Sequence, residues 1–264
     1  MILATTTSTQ DSGLLDVLVP MFEEQSAYEV KPIAVGSGAA LELGERGEAD
    51  IVLAHSPAAE ERFMAAGFGT RREVVMFNDF VIVGPEDDPA GIATVPSAAD
   101  AFRAIAKTQA PFVSRGDDSG THALERSLWE TAGVDPAGSW YQESGTGMGD
   151  TLGIANERRA YTVSDRGTFL AQRDRLDLRV LSEGDRALLN VYHAITVNPD
   201  NGRRVNVDGG TAFLAFLLSP EAQGAIAEFG VDRFGEPLFT PCAGNVCAVD
   251  SATPTASPAA SPAP

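Results

Sequence analysis

Phe112-Val113-Ser114-Arg115-Gly116-Asp117-Asp118-Ser119-Gly120-Thr121-His122 runs from an apolar stretch through a polar turn into a helical pattern. Ala110 to Val113 reads as a short buried strand. Leu124, Leu128 and Ala132 follow at i, i+4 and i+8, the spacing of one helix face. Ser119 or Asp118 is placed to cap that helix, which leaves unpaired N–H groups and the positive end of the dipole turned towards the loop. A helix start of this kind holds anions, and Arg115 adds a permanent charge with a fork geometry suited to oxyanions. Capping serine and surface arginine are the commoner roles of such residues. The stretch gains meaning because the chain repeats it.

Towards the N-terminus the same unit recurs. Ile2 to Ala4 reads as a strand, Thr5-Thr6-Thr7-Ser8-Thr9 as its loop, and Leu14, Leu15, Leu18 and Phe22 as the buried face of a helix. Pro20 lies inside that helical pattern and predicts a kink or a break. A strand from about Glu29 to Val35 ends in Gly36-Ser37-Gly38, before a helix carrying Ala39, Ala40 and Leu43. Asp50 to Ala54 is a further strand, and Pro57 starts a helix at its first turn. Strand, loop and helix in alternation are the pattern of a parallel sheet covered by helices. Ligands of such sheets bind beyond the carboxyl ends of the strands, where Thr5–Thr9, Gly36–Gly38 and Arg115–Thr121 all fall.

Val74–Phe77 and Phe80–Val83 are β-rich runs interrupted by Asn78-Asp79, and they read as a crossing between two lobes. Gly84 to Gly91 is a loop. Ala98 to Ala106 is helical, and Gly145-Thr146-Gly147-Met148-Gly149 precedes another helix without the spacing of a dinucleotide site. Ala160–Val163 is a strand ending in Ser164-Asp165-Arg166-Gly167, with a helix after it. Val191–Val197 reads as the return crossing. Helices follow from about Gly210 to Leu218 and from Pro220. Thr253 to Pro264 holds only Ala, Ser, Thr and Pro, a composition that builds no core.

The 264 residues carry 37 acidic and 19 basic side chains, a net charge of −18. No basic stripe is available to neutralise phosphates, which argues against nucleic acid and against an anionic membrane surface. A small anion is still allowed, because backbone N–H groups and one arginine act at short range, although the overall field does not steer it inwards. No run of apolar residues reaches the length of a membrane span. Met1-Ile2-Leu3-Ala4 leads directly into Thr5-Thr6-Thr7-Ser8, so the chain is either cytoplasmic or a mature form without its export signal. Cys242 and Cys247 are the only cysteines. Their closeness suggests a small disulfide loop and an oxidising compartment, against the alternative of two free cytosolic thiols.

Several of these runs resemble the substrate-binding proteins of bacterial tungstate ABC transporters. The resemblance lies in Thr5-Thr6-Thr7-Ser8-Thr9-Gln10-Asp11-Ser12-Gly13-Leu14-Leu15, Ala34-Val35-Gly36-Ser37-Gly38-Ala39-Ala40-Leu41 and Asn78-Asp79-Phe80-Val81-Ile82-Val83-Gly84-Pro85. It continues through Ser114–His122, Gly147-Met148-Gly149 and Asp165-Arg166-Gly167-Thr168, and covers roughly Ile2 to Pro241. Ala39 and Thr146 stand where the family usually has Gln, which bears on selectivity. The resemblance implies a two-lobed α/β periplasmic-binding-protein fold of type II-like form. Two mixed or parallel sheets with covering helices would be joined by a two-strand hinge. Lobe I would comprise residues 1–84 plus 197–241 and lobe II residues 85–196, with 242–264 a C-terminal segment. It further implies a monomeric, exported binding protein without cofactor that takes tungstate, or molybdate, to a membrane permease and its ATPase.

A deprotonated tetrahedral dianion offers only acceptors, so its site must supply donors. The residues expected to do so are Thr6, Thr7, Ser8 and Ser37 from one lobe, and Arg115, Ser119 and Thr121 from the other. Contacts from both sides would favour a closed state. Asp117 and Asp118 either orient Arg115 or accept a ligand proton, and the second role would suit hydrogen phosphate, the nearest rival. A different class of function is serine hydrolysis, with Ser119, His55 and Asp165 as a triad. The inserted Asp breaks the Gly-Asp-Ser-Gly pattern, and no G-x-S-x-G elbow occurs. His55, His122 and His193 read as structural or solvated residues.

Overall fold

Ile51-Val52-Leu53-Ala54 is an unbroken apolar run with all four side chains buried. Such a strand belongs inside a sheet covered on both faces. In the computed structural model, which describes residues 1–117, 119–202 and 204–243, it is β3. It pairs in parallel with β1 (Ile2–Thr6), and β1 pairs in parallel with β2 (Lys31–Val35). β2 is an edge strand, which is where Pro32 is tolerated. On its other side β3 runs antiparallel to β9 (Leu189–Val197), followed by β4 (Gly69–Pro85) and β10 (Thr240–Pro241).

β4 continues beyond this sheet. Its second half, Phe80–Pro85, pairs antiparallel with β7 (Thr162–Asp165) and with β8 (Leu178–Ser182). Next to these lies a parallel pair, β5 (Phe112–Ser114) and β6 (Tyr141–Glu143), linked to the strand before β7 by Val113 N donating to Tyr161 O at 2.9 Å. The architecture is the expected α/β one, with mixed and parallel strands.

Several expectations need correction. Asn78-Asp79 does not interrupt the crossing: β4 is one strand, because Asn78 and Asp79 pair in register with Asn190 and Leu189 of β9. Pro20 does not break its helix, α2 (Leu15–Glu24), whose buried Leu15, Leu18 and Phe22 anchor it in the core. Thr7–Asp11 is a short helix, α1, and Thr6 caps it by accepting from Thr9 N. Ala160-Tyr161 precedes β7, which extends to Asp165, whereas Gly210's helix begins earlier, at Val207.

The helices cover the sheets through periodic apolar faces. α3 (Ser37–Glu45) and α4 (Pro57–Ala65) place Ala40, Leu41 and Phe63 against Val52 and Ile195. α5 (Ala98–Thr108) and α6 (Gly120–Ala132) enclose Phe102, Phe112 and Trp129, whose rings approach to 4.2 and 5.2 Å. Tilted and edge-on pairs of this sort add about 0.5–1.5 kcal/mol each beyond burial. α7 (Met148–Arg158) and α8 (Arg166–Gln172) cover the second sheet with Leu152, Ala155, Phe169 and Leu170. α9 (Val207–Leu217), α10 (Pro220–Glu228) and the short α11 (Val231–Phe234) complete the chain before β10. Cys242 is buried and is not a free thiol. Its expected partner Cys247 and the tail from Thr253 lie outside the described residues.

α9 packs directly on the backbone beside β3. A Cβ added to Gly210 would lie 2.6 Å from the carbonyl oxygen of Asp50. That oxygen cannot move alone, because the Asp50 carboxylate also holds Ile2 N and Asn206 N at 2.6 Å. Gly210→Ala is therefore expected to lose about 1–3 kcal/mol by overpacking, despite the better helix propensity of Ala. Urea denaturation with an unchanged slope checks this.

Candidate anion-binding site

The first sheet delivers two helix starts side by side, because β1 and β2 are parallel and Thr6 is in register with Val35. α1 begins after Thr6, and α3 begins after Gly36, which offers no side-chain cap. Ser37 is the first residue of α3 and half-buried, while Thr7 and Ser8 open α1 and are exposed. Thr6 is buried, and its hydroxyl serves mainly within the protein. It lies 2.7 Å from Thr9 Oγ1, 3.1 Å from Ser8 Oγ and 3.2 Å from His55 Nε2.

The parallel pair β5 and β6 delivers two more. Ser119 caps α6 by accepting from His122 N, and Thr121 is buried within the first turn. Gly147 begins α7 without a side-chain cap. The loops into α6 and α7 are tied together where Arg115 O accepts from Gly145 N at 2.9 Å and from Ser144 Oγ at 3.2 Å. Gly116 makes this approach possible: its φ is +61°, and a Cβ there would lie 2.7 Å from Glu143 Cβ. Only glycine meets both conditions.

Arg115 pairs through Nη2 with Asp117, which also accepts from Ser119 N at 3.2 Å. Burial pushes the Asp117 carboxyl up, but bonds from Ser119 and the charge and bond of Arg115 outweigh it and hold the group below the usual carboxylate range. Asp117 thus orients the arginine as an ionised partner. Asp118 lies outside the described residues. Among those described, Arg115 Nε is buried without a hydrogen-bond partner, and so is Thr146 Oγ1 in the neighbouring loop. Buried donors without partners are costly and uncommon in native proteins.

The other arginine near a helix start has a different fate. Arg166 gives two bonds to Asp79, at 2.7 and 2.6 Å, and one to Glu183 at 2.6 Å. Its bonds to Asp79, set against burial, hold its pKa above the ordinary guanidinium value. Arg166 braces β4 to α8, and its charge is spent on carboxylates.

The two halves of the site meet at His55, which follows β3. Its Nε2 is 3.1 Å from Ser8 Oγ, and a Cβ built on Gly120 would lie 3.6 Å from its Cε1. The ring packs on Tyr192 with centroids 4.6 Å apart. Tyr192 is fully buried, its hydroxyl accepts from Asn190 Nδ2 at 3.1 Å, and burial raises its pKa. The structure does not assemble the hydrolase triad. His55 engages Ser8 and Thr6, Ser119 caps α6, and Asp165 caps α8 by accepting from Thr168 N at 2.8 Å. Neither His55 nor Thr146 was among the donors expected from the sequence: a lone His carries no spacing signal, and Thr146 stood out only as a departure from the family's Gln, its orphaned hydroxyl being visible in the structure alone.

Residues 1–221 match the PBP superfamily domain. The tungstate-binding protein TupA of Peptoclostridium acidaminophilum is 49% identical over 242 residues, covering 91% of this chain and 85% of the relative. This chain belongs to the tungstate-binding protein family. A putative ABC transporter anion-binding protein of Haloferax volcanii is 52% identical, over 90% of this chain and 71% of its own length. The solved tungstate-binding protein TupA of Desulfovibrio alaskensis G20 superposes with a TM-score of 0.86 at 43% identity, covering 92% of this chain and 99% of that one. The family is one of ABC-transporter binding proteins, and hydrolysis is set aside. The tungstate-family runs Thr5–Leu15 and Ser114–His122 supply the helix starts described above. Arg166, from Asp165–Thr168, belongs to the scaffold.

Proposed function

We propose that this protein binds the tungstate dianion, with molybdate its nearest competitor, and delivers it to an ABC permease and its ATPase outside the cytoplasm. The observation that carries the reading is Arg115 Nε, a buried cationic donor without a partner among the described residues, between the loops into α6 and α7. An oxyanion is the species that satisfies it. Thr7, Ser8, Ser37, Ser119 and Thr121 would add donors, with Thr6 holding α1 in place. Residues 1–84 plus 197–241 and 85–196 act in this reading as the two lobes of a monomer closing on the ion. The ionised Asp117 accepts from Arg115 and Ser119 N and so orients the arginine towards the ion. Calorimetric titration with tungstate, molybdate, sulfate and phosphate at one pH tests the reading. Tungstate is expected to bind most tightly and sulfate and phosphate weakly; preferred phosphate, or silence from all four, overturns it.

A further inference from the structure

His55 lies against both sides of the site, yet it is not among the donors just assigned. Nε2 lies 3.1 Å from Ser8 Oγ and 3.2 Å from Thr6 Oγ1, while Cε1 faces Gly120 at the start of α6. Each hydroxyl has one proton. Thr6 Oγ1 already accepts from Thr9 N and has Thr9 Oγ1 at 2.7 Å. A neutral imidazole whose Nε2 is a lone pair takes the Ser8 proton, and Ser8 then has none to give an anion. An imidazolium, like the neutral tautomer protonated on Nε2, donates there and turns the Ser8 proton elsewhere, and only the imidazolium also brings a positive charge to a dianion.

We propose that His55 is the proton-exchanging, positioning residue of the anion site: it takes a proton from solvent as the oxyanion dianion enters, and Nε2–H then aims the Ser8 hydroxyl at the ion. The inference rests on the tungstate reading above. One N–H bond forms on the imidazole at the expense of a buffer acid, and nothing is oxidised or reduced. The groups around the ring suit the exchange. Burial holds His55 below its ordinary pKa, while Asn190, Glu60 of α4 and Asp165 of β7 work in the opposite direction. Tyr192, packed on the ring from β9, stays neutral because burial raises its pKa. The ring is thus neutral in the empty site, and an added dianion at short range shifts the balance towards the charged form.

Binding that takes up a proton tightens as pH falls, and the dependence lies between the lowered pKa of the empty site and the higher one of the filled site. Tungstate is titrated calorimetrically into the full chain in two buffers of different ionisation enthalpy, between about pH 6.5 and about pH 8.5. The wild type is expected to show a buffer-dependent enthalpy equal to a fraction of a proton taken up. Its affinity should fall with rising pH, by up to about tenfold per unit. His55→Gln keeps a polar side chain and is expected to bind with buffer-independent enthalpy and a flat pH profile. Nitrogen NMR of the wild-type ring, neutral without tungstate and cationic with it, decides the matter if the variant does not fold. Normal tungstate affinity with buffer-independent enthalpy overturns the role of His55 and leaves the tungstate reading standing. Absence of tungstate binding by the wild type overturns the tungstate reading itself.

Discussion

Arg115→Ala is expected to abolish tight oxyanion binding while leaving the protein folded. Removal takes away the fixed charge and the buried Nε donor, and leaves the helix-start N–H groups and hydroxyls to hold the ion alone. A charge-assisted pair of this kind is worth about 3–4 kcal/mol to a buried anion, or roughly two to three orders of magnitude in Kd. Arg115→Lys restores charge without the planar fork and should recover only part of the loss. Stability should change little. Without Arg115, Asp117 still accepts from Ser119 N and its side chain is 23% exposed, so water can take the place of the guanidinium. Calorimetry for affinity and a melting curve for the fold check the two halves separately. Near-normal affinity in Arg115→Ala would remove this residue from the site.

The largest loss of stability is expected at a residue outside the ligand donors, at Glu60→Leu. Glu60 is completely buried. Its Oε2 accepts from Arg72 Nε and Nη2 at 3.1 and 2.9 Å and lies 2.8 Å from His193 Nδ1, while Oε1 accepts from Ser56 N at 2.7 Å. Replacing it strands a largely buried guanidinium and leaves a backbone N–H and a buried His without their acceptor. Breaking a buried pair from one side costs about 3–5 kcal/mol, where replacing both partners together can cost nothing. For a chain of this size the melting temperature should drop by about 10 °C. Chemical denaturation of Glu60→Leu beside Glu61→Leu is the control, since Glu61 is exposed. Equal losses in the two variants would rule out the buried network as the cause.

Much of the site was legible because its devices are local. A Ser or Thr ahead of an apolar period caps a helix, and the cap geometry spans three residues, as in Thr6 with Thr9 and Ser119 with His122. The runs at Thr5–Leu15 and Ser114–His122 therefore announced both the helix starts and the family. The errors were of the opposite kind. Asn78-Asp79 looked like a break because polar residues interrupt an apolar strand pattern, yet across the β4–β9 register Asn190 Nδ2 donates to Asn78 Oδ1 at 2.8 Å. Nothing in the stretch around Thr6 reveals that His55 and Thr9 also engage its hydroxyl.

By itself the sequence determined the alternation of strands, loops and helices, the caps, and the family to which the chain belongs. Only the tertiary structure decided which of two similar arginines keeps an open donor. Arg115 has a buried Nε to spare, whereas Arg166 is matched by Asp79 from β4 and Glu183 from the loop after β8. It likewise separated Glu60 from Glu61, and set the His55 ring against Ser8, Thr6 and the start of α6. Periodicity and capping are written within a turn or a strand. The partner of a buried charge is set by which strands pair and in what register, across stretches of chain that local pattern does not connect.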